Sequence, residues 1–136
     1  MAYSAGGGST GKSSHLTVFA DGRVELTYSG RPMLPVRVPA ARIEKLAADL
    51  ASTGVFAQKD GTWEPSRPVA DGVGAGLTVR DETGAVHGYQ WATGATAPPV
   101  VMRAMEVGGG FASEVEREHP RPLCGCVAGD PLCSCL

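Results

Sequence analysis

Apolar and polar residues alternate along His15-Leu-Thr-Val-Phe-Ala20 and again along Arg23-Val-Glu-Leu-Thr-Tyr28, with Asp21-Gly22 between the two runs. Such alternation marks half-buried strands, and an Asp-Gly pair between them predicts a two-residue hairpin turn. Leu16, Val18, Val24, Leu26 and Tyr28 then share one face, with Thr17, Glu25 and Thr27 on the other. Past Pro35 and Pro39 the period changes. Ile43, Leu46, Ala47 and Leu50 recur at helical spacing within Ala40 to Thr53, which predicts an amphipathic helix. Pro39 suits its first turn, Gly54 its C′ position, and Arg42, Glu44, Lys45 and Asp49 its wet face.

Residues 57 to 74 mix Gly, Pro, Asp, Ser and Trp63 without periodicity and read as a long loop. A second hairpin is expected where Gly76-Leu-Thr-Val-Arg80 and Ala85-Val-His-Gly-Tyr-Gln-Trp91 flank Asp81-Glu-Thr-Gly84. Pro98-Pro99 opens a short helix containing Val100, Val101, Met102 and Met105, and Gly108-Gly-Gly110 is expected to end it. Phe111 to His119 is acidic, and Pro120 and Pro122 separate it from the C-terminal tail. The resulting division is a glycine-rich segment over 1–14, a small domain over 15–107, a hinge over 108–121 and a tail over 122–136. The order strand, strand, helix, strand, strand, helix implies an α+β fold: an antiparallel sheet of about four strands, with one main and one short helix on one face.

Composition narrows the functional classes. Apolar residues make up 43% and charged residues 19% of the 136, which suits one globular domain. A net charge of −2 with interspersed signs gives no footprint for a polyphosphate backbone, so nucleic acid is not an expected partner. Met1 to Gly8 has neither a basic nor an apolar targeting region, and no stretch approaches the length of a membrane span, so the expected setting is cytoplasmic and away from membranes.

Gly6-Gly-Gly-Ser-Thr-Gly11-Lys12-Ser13 matches the G-x-x-x-x-G-K-[ST] pattern. A phosphate loop needs a buried strand before it and a helix after it, and here the next residues alternate like a strand. The match is therefore read as a glycine segment, flexible or on a sheet edge, with no nucleotide-binding role for Gly6, Gly11, Lys12 or Ser13. The three histidines, His15, His87 and His119, are scattered, and no catalytic set emerges, so a non-enzyme is expected. Trp63 and Trp91 suit core cover, although Trp63 in its long loop is also a candidate anchor for a partner.

The body then resembles a known family. The glycine cluster Gly6 to Gly11, the run Leu16-Thr-Val-Phe-Ala-Asp-Gly-Arg-Val24, the helix ending Leu50-Ala-Ser-Thr-Gly-Val-Phe56, the strand Leu77-Thr-Val-Arg-Asp81 and the helix start Ala97-Pro-Pro-Val-Val-Met-Arg103 are similar to emfourin, a family of small cytoplasmic inhibitors of thermolysin-like zinc metalloproteases. The resemblance implies a domain that binds a folded protease by surface complementarity, without catalytic residues or a required cofactor.

All four cysteines, Cys124, Cys126, Cys133 and Cys135, lie in the tail as two C-x-C pairs. Thiolates suit Cu(I) and zinc, and two pairs can supply four sulfurs to one ion. The tail also resembles the core peptide of methanobactin-type copper chelators in Leu123-Cys124-Gly125 and in Leu132-Cys133-Ser134-Cys135. That likeness implies a ribosomal peptide precursor in which Leu123-Cys124 and Leu132-Cys133 are modified by a peptide-modifying enzyme. Two expectations stand together: an emfourin-like binding domain carrying a thiol-rich tail, or a precursor whose folded body is a recognition leader.

Overall fold

The computed structural model describes residues 1–7, 13–28, 31–32 and 35–119. The fold is α+β. Among these residues the strands are β1 (Ala2–Gly7), β2 (Ser13–Val18), β3 (Arg23–Tyr28), β4 (Arg31–Pro32), β5 (Val36–Arg37), β6 (Gly61–Trp63), β7 (Val73–Arg80) and β8 (Val86–Ala92). The helices are α1 (Ala40–Ser52) and α2 (Pro99–Glu118), with a 3-10 turn at Val55–Ala57. Seven strands form one path in the order β4-β3-β2-β1-β7-β8-β6, and β5 pairs with β3 beside β4. Every pairing is antiparallel except that of β6 with β8.

The expected sheet of about four strands is corrected on count. The glycine-rich start supplies β1, which is neither an edge strand nor a separate segment. It lies between the two hairpins and pairs with β2 from Ala2↔Thr17 to Gly6↔Ser13 and with β7 from Ala2↔Thr78 to Gly7↔Val73. Small residues are weak strand formers in isolation, but here both backbone edges are satisfied, one by the next strand and the other by β7, far away in sequence. The long loop over 57–74 likewise contains β6, whose three residues pair in parallel with Tyr89, Gln90 and Trp91.

Both hairpins form as expected, with a different turn. Phe19 N donates to Arg23 O at 2.9 Å and Gly22 N to Phe19 O at 3.0 Å, which makes a three-residue loop rather than a two-residue one. Gly22 has φ +89°, and a Cβ there would sit 2.7 Å from Val38 O. Its glycine is required both by the left-handed backbone and by that close approach. Asp81 and Ala85 close the second hairpin in the same way, with Asp81 N to Ala85 O and Gly84 N to Asp81 O both at 3.0 Å.

Helix α1 matches its expected span, with Pro39 at the N-cap and Gly54 left-handed just beyond Thr53. Leu46 and Leu50 are buried, Ile43 is partly buried, and Ala47 remains exposed. Helix α2 overturns the expected stop and hinge at Gly108: it runs unbroken for 20 residues and is the longer helix. Val101, Ala104, Met105, Gly108, Phe111, Ala112 and Val115 form its buried stripe. The glycines are seats for a side chain from β1. A Cβ on Gly108 would lie 3.1 Å from Tyr3 Cδ2 and 3.2 Å from Leu77 Cδ1, and one on Gly109 would lie 2.9 Å from the Tyr3 hydroxyl.

One core joins the helices to one face of the sheet. Leu16, Val18, Val24, Leu26, Leu77, Val79 and Tyr89 meet Leu46, Leu50, Val101, Phe111 and Val115, and all are buried. Arg42 ties the helices together, with its guanidinium 2.7 Å from the Glu118 carboxylate, 3.3 Å from that of Glu114 and over the Phe111 ring. Among the described residues no helix is long and apolar enough to cross a membrane.

Candidate functional site

Because the helices cover one face of the sheet, strand alternation decides what the other face presents. Ser4, Gly6, His15, Thr17, Glu25, Thr27, Gly76, Thr78, Gln90 and Thr62 point there, and none of them for which burial is described is buried. Residues on the central strands are smaller than those flanking them, so the face carries a trough. One part, of about 590 Å³, is lined by Ser4, His15, Thr62 and Gln90 among others. A second part, of about 540 Å³, continues past Ser4, Gly76 and Gln90 to Thr78 and Gly88. The lining mixes hydroxyls, an amide and glycine backbone with the apolar surfaces of Trp63, Trp91 and neighbouring alanines, a combination suited to adaptable contact with another polypeptide.

At one edge of the sheet, His87 on β8 lies between two carboxylates. Its Nε2 is 2.9 Å from Asp81 Oδ2 and its Nδ1 is 3.5 Å from Asp60 Oδ1. Asp81 is fixed in turn by the second hairpin loop: Thr83 N, Thr83 Oγ1 and Ala85 N donate to its Oδ1 at 2.9, 2.6 and 3.0 Å. Asp60 accepts from Gly88 N at 3.1 Å. The Asp81 hydrogen bond, reinforced by Asp60, raises the His87 pKa above its ordinary value. The same contact with His87, then the Thr83 hydroxyl, holds the Asp81 carboxyl far below the usual carboxylate range. The Phe56 ring meets the His87 imidazole edge-on, with centroids 6.4 Å apart. This arrangement fastens β6 and the loop before it to β8. Below it the Tyr89 hydroxyl lies 2.7 Å from Val55 O and 3.0 Å from Gln58 O, donating into the same corner.

The residues singled out from the sequence fall in different places. Trp63 is partly buried, stacks on Tyr89 with centroids 6.4 Å apart and 18° between planes, and borders the trough with its remaining surface. His15 lies in the trough and His119 caps α2. Gly6 belongs to β1 and Ser13 opens β2, so the phosphate-loop pattern leads into a strand, not a helix. Gly11 and Lys12 lie outside the described residues, as do Leu123, Cys124, Cys126, Leu132, Cys133 and Cys135. Among the described residues no group of three or more His, Cys, Asp or Glu is placed to hold a metal ion.

Sequence reasoning missed the Asp60–His87–Asp81 arrangement, because Asp60 is 27 residues from His87 and reaches it only through the β6–β8 pairing. Asp81 was legible as a turn residue, and its alignment across the loop from His87 was the available signal. Comparison of the chain with protein-family models, with curated proteins and with solved structures found no match.

Proposed function

We propose that this chain is a non-enzymatic, emfourin-like protein-binding domain whose partner is a thermolysin-like metalloprotease, and that the thiol-rich tail is an elaboration of that domain. The supporting observation is the uncovered polar face of the sheet. The paired strands, from two residues in β4 to eight in β7 at about 3.4 Å per residue and spaced about 4.8 Å apart, together present roughly 600 Å², somewhat less than the roughly 800 Å² that each partner contributes to a standard interface. The helix-packed face behind it holds that surface in one shape, which lowers the ordering cost of docking. Its setting is the reducing cytoplasm, where four clustered thiols persist and can take Cu(I) or zinc.

Titrating a thermolysin-like protease with the full chain tests this reading. Inhibition at micromolar or lower concentration is expected, and Thr78→Arg and Gln90→Arg, both exposed in the trough, should weaken it at least about tenfold while leaving the unfolding midpoint in place. Full protease activity at saturating chain would remove this reading.

A second reading rests on helix α2. It runs to Glu118, so the residues before Cys124 begin directly at the end of a core helix. A modifying enzyme gripping the body would hold the chain within six residues of Cys124 in sequence, as a precursor with a folded leader requires. Intact mass spectrometry of protein from its native host, with and without a thiol alkylating agent, decides it. A mass change localised to residues 123–136 supports the precursor, and four alkylatable thiols at the unmodified mass exclude it.

A further inference from the structure

Thr62 walls the trough in both of its parts, and Asp60 and Gly61 join it in the second. That wall is held from one side only. Its strand, β6, has three residues at the end of the sheet path and pairs with β8 at Tyr89, Gln90 and Trp91. The facing wall carries His15 on β2, a strand paired on both sides. What fastens the start of β6 is the Asp60 carboxylate, whose Oδ2 accepts from Gly88 N at 3.1 Å and whose Oδ1 lies 3.5 Å from His87 Nδ1.

The imidazole can serve both of its carboxylates in one protonation state only. A neutral ring has one N–H and one lone pair, whereas the imidazolium donates at both nitrogens. Asp81 is the better-placed acceptor, 2.9 Å from Nε2 and held by three donors of the hairpin loop. The neutral ring therefore keeps its proton on Nε2 and turns the Nδ1 lone pair toward Asp60, where lone pair and carboxylate repel. Loss of one proton converts an attraction into a repulsion at the point that ties β6 down. Asp81, from the β7–β8 loop, and Asp60, from the segment before β6, are the charged groups acting on the ring. Phe56 and Val79 face it with apolar surface. The His87 side chain is 19% exposed, so its proton exchanges with water without unfolding.

We propose that His87 is a proton-operated latch on this wall: protonated, it clamps Asp60 and the start of β6 against β8, and neutral, it frees residues 60–62 and weakens docking in the trough. The latch stands on the geometry of Asp60, His87 and Asp81, and its effect on a partner rests on the reading of the trough as the docking face. Binding to a loosened wall carries an ordering cost that a preformed wall does not. Because both carboxylates favour the charged ring, the change falls above the ordinary histidine value of about 6.5, and affinity decreases as pH rises past it.

Amide hydrogen exchange of the full chain tests the latch. Gly88 N–H is the direct reporter, because its acceptor is the Asp60 carboxylate. Corrected for base catalysis, protection at Gly88 and across β6 should fall about two- to fivefold between about pH 6 and about pH 8.5, the size expected of one partly exposed ion pair. Leu16 and Leu77, in the central strands, should show no such step. His87→Gln and Asp60→Asn should each abolish it, the second while keeping an acceptor for Gly88. Protection that stays constant across this range overturns the proposal, as does a step that survives in either variant or is shared equally by Leu16 and Leu77. A His87 ring titration in the native chain whose midpoint differs from that of the Gly88 step overturns it without any variant. Inhibition of a thermolysin-like protease by the native chain and by His87→Gln, each at both pH values, tests the consequence. The native chain should lose about two- to fivefold more affinity than the variant, a ratio from which the protease's own pH dependence cancels. Equal losses overturn the effect on docking. No inhibition by the native chain at about pH 6 removes the protease reading instead, and the exchange data still decide the latch.

Discussion

Gly108, Gly109 and Gly110 look alike in the sequence and stand in three different environments. Gly108 and Gly109 bring α2 down onto Tyr3, where a Cβ would come within 3.1 and 2.9 Å of the ring and its hydroxyl, whereas Gly110 has nothing within 4 Å of its Cβ position. At Gly110 only the entropic cost of glycine in a helix remains, about 1 kcal/mol relative to alanine. Gly110→Ala should therefore raise stability by about 0.5–1 kcal/mol, while Gly108→Val, forcing branched carbons against Tyr3 and Leu77, should lower it by about 1–3 kcal/mol. Urea unfolding midpoints of the two variants check both signs, and equal effects would mean that Tyr3 does not rest on these glycines. A run of three glycines reads as a stop because local propensity is all that a sequence window contains. The ring that makes them useful arrives from more than 100 residues away.

At the scale of elements, the strands with clean alternation, β2, β3, β7 and β8, and the helix α1 were legible, because each buries one face and so needs one period. The elements that were missed, β1 and β6, carry little hydrophobic signal of their own and are held by pairing. For β6 that pairing is secured by His87, and the two shifts set its pH dependence. His87 has a folded pKa above its unfolded value near 6.5, so its contribution is complete below that value and is lost as pH rises through the folded pKa. Asp81 has a folded pKa below its unfolded value near 3.9, so its contribution is present above that value and is lost as pH falls toward the folded one. The contact is therefore strongest between about pH 4 and 6.5. Unfolding midpoints of the native chain should fall between pH 6 and pH 8.5 by more than those of His87→Gln over the same interval. An identical pH response in the two proteins would show that the imidazolium does not hold this corner.

For the whole molecule, the decisive placement is that of the first seven residues. A chain read as a domain preceded by a glycine-rich segment is instead one sheet whose centre is that segment, with β2 on one side and β7 on the other. Deleting residues 1–7 should leave two strand edges unpaired and the Tyr3 seat empty, and should abolish cooperative unfolding by circular dichroism. A sharp transition at an unchanged midpoint would restore the segment to the status of an appendage. The same assembly leaves two surfaces of opposite character, a polar trough on the bare sheet face and an apolar groove beside α1.

The sequence by itself determined the α+β class, the two hairpins, the span of α1 and the concentration of sulfur chemistry in one short stretch, because each of these rests on spacing between near neighbours. Only the tertiary structure decided that the glycine-rich start is a central strand, that α2 runs past its glycines to the residues before the cysteines, and that Asp60, Asp81 and His87 meet. Those outcomes depend on backbone pairing and side-chain contact across long sequence separations, where small residues matter for what they let approach rather than for any preference of their own.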